Sequence, residues 1–187
     1  MKIIGISGSL REESLNTSLL NACVQFIPDG NEFTLFTLEN IPLYNEDIDN
    51  DNKPDEIVKF LELIRISDLV IFVSPEYNHG ISGVLKNAID WASRPAFNSP
   101  LRLKPCGLLT ASKSPVGGAR AQADLKNILS STLSLVYPSV EYLLADAHEK
   151  INENGSVVDD TALRRLQRYM EELTVWASNQ HPQNKGS

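Results

Sequence analysis

Residues Leu69-Val70-Ile71-Phe72-Val73 form an unbroken apolar run, and this run restricts the fold more than any other stretch of the chain. A strand with one wet face is polar at every second residue. A run without that alternation needs cover on both faces, the situation of a central parallel strand between two layers of helices. The rest of the chain supplies those layers. Short apolar segments at 2–7, 32–38, 68–74, 105–112 and 140–145 are strand candidates. Between and after them, segments at 15–26, 54–66, 83–93, 118–134 and 159–178 carry apolar residues at three- and four-residue steps, the period of a helix with one buried side. Alternation of this kind builds βαβ units into one doubly wound α/β sheet. At 187 residues with 42% hydrophobic content, the chain is expected to form one domain over 1–180, with 181–187 as a flexible tail.

In open α/β sheets the ligand crevice lies beyond the carboxyl ends of the strands, where the strand order reverses. The loops after the first, third and fourth strands are therefore the candidates. The first reads Gly8-Ser9-Leu10-Arg11-Glu12-Glu13-Ser14-Leu15-Asn16 and runs into a helix. Unpaired N–H groups and the dipole at a helix start favour a phosphate. Ser9, Ser14 and Asn16 add hydroxyl and amide donors, and Arg11 adds a planar cation suited to a phosphate dianion. The same residues also suit a plain helix cap with a solvated arginine. The spacing is neither G-x-G-x-x-G nor G-x-x-x-x-G-K-[ST], which disfavours a tightly held dinucleotide and a P-loop NTPase. After the third strand comes Pro75-Glu76-Tyr77-Asn78-His79-Gly80-Ile81-Ser82-Gly83. Pro75 and Tyr77 can wall a flat heterocycle, with the backbone of Glu76 to Asn78 left to donate. The competing reading is a strand-to-helix connection in which Tyr77 packs and the glycines turn. Glu76 is assigned a positional role.

The formal charge of -7 argues against a sequence-independent hold on nucleic acid. Cys23 and Cys106 lie far apart, match no zinc-ligand spacing, and suit small buried positions on a helix and a strand. Met1-Lys2-Ile3-Ile4 lacks the apolar core of a signal peptide, and no apolar run approaches the roughly 20 residues of a membrane span. A cytoplasmic location is expected, with no membrane partner.

The chain resembles the NADPH-dependent FMN reductase family, whose members include quinone, chromate and azo-dye reductases. The resemblance rests on Gly8-Ser9-Leu10-Arg11 with Ser14 and Asn16, on Pro75-Glu76-Tyr77-Asn78, and on the block from Gly83 to Trp91 with Ser93-Arg94-Pro95. Leu43-Tyr44-Asn45-Glu46-Asp47 and the segment from Ser114 to Gln122 extend it, so that it covers about residues 2 to 175. It implies a flavodoxin-like three-layer fold with a five-stranded parallel sheet in the order 2-1-3-4-5, bound FMN, and NADPH or NADH as electron donor. By likeness, Ser9, Arg11, Ser14 and Asn16 would surround the FMN phosphate, Pro75, Glu76, Tyr77 and Asn78 would border the ring, and Ser112 would lie near its far edge. One departure is Thr110 to Gly117, where this chain carries Lys113 in place of a glycine-richer loop. The acceptor would be a small molecule: a quinone, a flavin, a chromate or an azo compound. A homodimer or homotetramer is implied, with Tyr44, Trp91 and Arg94 as candidate subunit contacts, core or surface packing being an equal reading of Trp91. Two alternatives remain at this level, a reductase that releases reduced flavin to a partner and a flavodoxin-type electron carrier.

Overall fold

The computed structural model describes residues 1–138 and 140–180, and the tail expected over 181–187 lies outside them. In chain order the elements are β1 (Lys2–Ser7), α1 (Leu15–Cys23), β2 (Glu32–Phe36), α2 (Asp55–Ile66), β3 (Leu69–Ser74), α3 (Gly83–Ala92), β4 (Pro105–Ala111), α4 (Ala119–Ser131), β5 (Leu135–Val136), β6 (Tyr142–Leu144), α5 (Ala147–Lys150) and α6 (Asp160–Gln180). The strands run parallel in the order β2-β1-β3-β4-β5, and β6 also pairs with β4. The order 2-1-3-4-5 is the one expected.

Every residue of β3 is buried, as its unbroken apolar character requires. Leu69, Ile71 and Val73 face one side, against Leu19 and Leu20 of α1 and Leu166, Met170 and Leu173 of α6. Val70 and Phe72 face the other, against Phe60 and Ile64 of α2, Leu85 and Ile89 of α3, and Leu125 and Leu129 of α4. Each such side chain contributes about 1.5–3 kcal/mol by leaving water. The register sets Ser7 beside Val73, and Ser74 beside Thr110. The chain therefore leaves β1, β3 and β4 at one level, and their three loops emerge side by side.

The boundaries differ from expectation where periodicity carries past a backbone event. The first helix ends at Cys23 and tightens into a 3-10 turn over Val24–Phe26. The segment expected to be helical through 134 stops at Ser131. Leu133 continues the four-residue spacing of Leu125 and Leu129, but it turns into the left-handed region at φ 61°, and Leu135–Val136 then pair with Pro105 and Cys106. The edge strand is thus divided: β5 covers the start of β4, and β6 covers Leu109 to Ala111. Between them, Leu108, which pairs with Phe72 of β3 on its inner side, has no strand partner on the outer side among the described residues. The hydroxyl of Tyr169 fills the gap, accepting from the Leu108 N–H and donating to the Leu108 carbonyl, each at 2.9 Å. Gln122 Nε2 donates to that same carbonyl at 3.0 Å and to that of Tyr142 at 3.3 Å. A side chain from α6 stands in for missing backbone.

Tyr169→Phe keeps the ring and leaves the buried Leu108 N–H without an acceptor. The expected cost is about 1–3 kcal/mol, seen as a fall in melting temperature of roughly 3–9 °C at this chain length. An unchanged melting curve would show that the gap needs no plug.

Candidate active site at the carboxyl edge of the sheet

Loop one is seated by its own backbone. Gly8 N–H donates to the Val73 carbonyl at 2.7 Å, which draws the end of β1 onto β3. Ser14 caps α1, its oxygen accepting from Thr17 N–H at 3.2 Å, and its hydroxyl proton remains able to donate. The N–H groups of Leu15 and Asn16, in the first turn of α1, take no acceptor among the described residues. Ser9 Oγ accepts from Arg11 N–H at 3.3 Å. The Arg11 side chain is exposed and lines a cleft of about 650 Å³ together with Lys113, His148, and the segment 151–155. Glu12 and Glu13 border the same cleft and are also exposed.

The side chain of Asn16 differs from this group. It is buried, donating from Nδ2 to the Ala111 carbonyl at 3.0 Å and accepting at Oδ1 from the Ala111 N–H at 2.9 Å. Its amide thereby pairs with the end of β4 as a neighbouring strand would. This pairing engages Oδ1 and one Nδ2 hydrogen of the side chain expected near the phosphate. What Asn16 offers the loop opening is its backbone N–H.

Loop three folds back on itself at once. Tyr77 and Gly80 exchange backbone hydrogen bonds at 3.0 and 3.1 Å, closing a two-residue turn through Asn78 at φ 51° and His79 at φ 69°. Two successive left-handed residues define a type I′ turn, and asparagine and histidine are among the side chains that tolerate that region best. The N–H groups of Glu76, Asn78 and His79 take no acceptor among the described residues. Pro75 is buried and Tyr77 half-exposed. The Glu76 carboxylate accepts from the N–H groups of Arg120 and Ala121 at 3.0 and 3.2 Å. It caps α4, whose own cap position, Gly118, has no side chain to offer. The positional role expected of Glu76 therefore has a concrete form.

Ser82, which sequence reasoning missed, joins the two loops. Its Oγ accepts from Leu85 N–H at 3.3 Å, capping α3, and donates to the Gly8 carbonyl at 2.5 Å. A serine directly before a helical period was the available signal; nothing local indicated its bond to Gly8. In the fourth loop, Ser112 extends the pairing of β4 with β6 through its backbone, and its Oγ accepts from Ser114 N–H at 3.1 Å. Lys113 points away from the fold and shares the Arg11 cleft.

The loop at 42–49 docks on α3. Asn87 Nδ2 and Trp91 Nε1 both donate to the Pro42 carbonyl, at 2.8 and 2.9 Å. The Tyr44 ring meets Trp91 edge-on at 5.0 Å, with the Arg94 guanidinium 5.5 Å from its centre. Burial and the nearby Asp49 carboxylate hold the Tyr44 phenol above its usual pKa. Trp91 is fully buried within the chain, so the subunit contact expected of it is corrected to core packing: its ring is spent on Tyr44 and its nitrogen on Pro42.

The structure is a doubly wound α/β protein of flavodoxin-like strand order whose carboxyl edge leaves N–H groups open at the start of α1 and in the Tyr77 turn. The comparisons narrow the class. The sequence pattern of the NADPH-dependent FMN reductases matches residues 1–149. An NAD(P)H-dependent FMN reductase of Pseudomonas aeruginosa is 39% identical, over 94% of this chain and 95% of its own length. A 2-hydroxy-1,4-benzoquinone reductase of a Burkholderia species is 32% identical over 94% and 96%. Among solved structures, the flavoenzyme NAD(P)H:(acceptor) oxidoreductase FerB of Paracoccus denitrificans superimposes with a TM-score of 0.87 at 31% identity, over 96% of this chain and 98% of that one. The chain belongs to the NADPH-dependent FMN reductase family.

Both cysteines lie away from this edge, fully buried, and burial pushes each thiol up to about 12. A thiolate is the reactive form. Neither cysteine is expected to react with a thiol reagent at pH 8 in the native protein, and both should react once it is unfolded in denaturant. Rapid labelling of the folded chain would contradict this assignment.

Proposed function

We propose that this chain is an FMN-dependent NAD(P)H oxidoreductase that reduces quinones, with residues 1–180 acting as one domain. The observation that carries the reading is the pairing of two unspent donor sets. One is Arg11, Ser14 and the N–H groups of Leu15 and Asn16 at the start of α1. The other is the outward backbone of the Tyr77 turn, tied to the first loop through Ser82 and Gly8. The donors fit FMN: a phosphate monoester takes the cation and the helix start, and a flat ring takes Pro75, Tyr77 and the N–H groups beside them.

FMN, when bound, supplies hydride transfer between a reduced nicotinamide and an acceptor, chemistry beyond any side chain at this edge. The protein's share is placement and charge. Arg11 would hold the phosphate with Ser9 and Ser14, and the Glu76, Asn78 and His79 N–H groups would present fixed dipoles to the polar edge of the ring. Ser112 and Lys113 would border the opposite edge of the ring, where Lys113 would offer a positive partner. Both substrates share one exposed face, which suits quinones and admits other small flat oxidants, including flavins, azo compounds and chromate. The reading places the enzyme in the cytoplasm as a homodimer or homotetramer. Among the described residues no helix is long and apolar enough to cross a membrane.

The purified protein is expected to carry a yellow chromophore through gel filtration, to bleach on addition of NADPH, and to regain colour with a quinone. Initial rates should give parallel double-reciprocal lines, the mark of a shared site used in turn. Replacing Arg11 and Ser14 together by alanine should weaken FMN binding by tenfold or more, since about 1.4 kcal/mol corresponds to each factor of ten and a charged phosphate contact exceeds that. Unaltered affinity in the double variant would remove the proposed phosphate seat.

A further inference from the structure

We propose that Asp124 is a positioning residue for the ring-facing turn, forming with Glu76 a two-carboxylate latch that holds Tyr77–Gly80 against α4. The inference rests on the flavin reading above. The turn is intrinsically costly to hold, because Asn78 at φ 51° and His79 at φ 69° both occupy a region L side chains rarely adopt. Its two ends are anchored to one stretch of one helix. At the entry, Glu76 Oε2 accepts from Arg120 and Ala121 N–H, and Oε1 lies 3.6 Å from the Arg120 guanidinium. At the exit, Ile81 N–H donates to Asp124 Oδ2 at 3.0 Å.

The two anchors are reciprocal: a loop side chain bonds helix backbone, and a helix side chain bonds loop backbone. Ala121 and Asp124 are three residues apart and share a helix face. The carboxylate also lies close over Gly80, where an added Cβ would meet Asp124 Oδ2 at 3.1 Å. With both ends fixed in this way, the N–H groups of Asn78 and His79 hold their outward direction before any ligand arrives. Losing one anchor lets the turn sample other shapes, and apparent affinity then falls by the fraction of molecules still in the competent one. Glu76 doubles as the cap of α4, so changing it alters the helix as well. Among the described residues Asp124 takes a hydrogen bond from Ile81 alone, which makes it the cleaner probe.

The test compares Asp124→Ala, Asp124→Asn and Lys126→Ala in the full chain. The readouts are the FMN dissociation constant, from quenching of flavin fluorescence, and amide exchange at Tyr77 and Gly80, whose N–H groups close the turn, in protein freed of FMN. Asp124→Ala should raise the dissociation constant about tenfold and speed exchange at Tyr77 and Gly80 by about the same factor. Asp124→Asn, whose amide oxygen still accepts from Ile81, should stay near wild type. Lys126→Ala removes the 2.7 Å ion pair to Glu141 from the same helix, and should leave both readouts in place even if the melting temperature drops. The latch is overturned if Asp124→Ala matches wild type in either readout, or if Lys126→Ala weakens FMN binding equally. A wild-type chain that takes no FMN overturns the flavin reading instead, and the exchange rates still decide whether Asp124 holds the turn.

Discussion

β3 has no solvent-facing side, and most of the architecture follows from that. An apolar strand buried on both faces must have a strand on each edge and helices above and below, or its side chains and its backbone polar groups are left unsatisfied. β1 and β4 occupy the edges. Helices α1 and α6 cover one face, and α2, α3 and α4 cover the other. Because the strands are parallel and in level register, every strand delivers its outgoing loop to the same edge of the sheet. Polar and strained backbone collects there, at the rim of the most rigid part of the molecule.

Most polar side chains at that rim act on the protein rather than on a ligand. Asn16 pairs with Ala111, Ser82 bridges to Gly8, Glu76 caps α4, and Ser112 holds the turn after β4. Together they make the loops an extension of the sheet. What remains directed outward is Arg11, Lys113, the first-turn N–H groups of α1 and the N–H groups of the Tyr77 turn. A site of this form needs little rearrangement to receive an anion and a flat ring, and preorganised dipoles are the main means by which a protein tunes a bound cofactor.

The chain carries a formal charge of -7, and the cleft at the sheet's carboxyl edge is mixed in charge, with Arg11 and Lys113 set among Glu12, Glu13 and Glu153. Composition describes the whole surface, whereas recognition depends on which few charges the fold brings together. The two buried cysteines show the same distinction in reverse. Their chemistry is suppressed by location, so neither takes part in the redox function assigned to the site.

The sequence by itself determined the elements whose signals are local. These are the unbroken run of β3, the helical periods around it, the phosphate-suited loop at Ser9 to Ser14, and the Pro75 to Asn78 turn; each depends on residues within a dozen or so positions. Tertiary structure alone decided the cross-connections: Asn16 with Ala111, Ser82 with Gly8, Tyr169 with Leu108 and Asp124 with Ile81, pairs separated by 95, 74, 61 and 43 residues. It also decided the division of the edge strand, since the four-residue spacing of Leu125, Leu129 and Leu133 runs on unbroken while the backbone at Leu133 turns left-handed. The physical reason is the same in each case. Periodicity and propensity report which face of an element is apolar, but a bond between a side chain and distant backbone exists only once packing has fixed which atoms face each other.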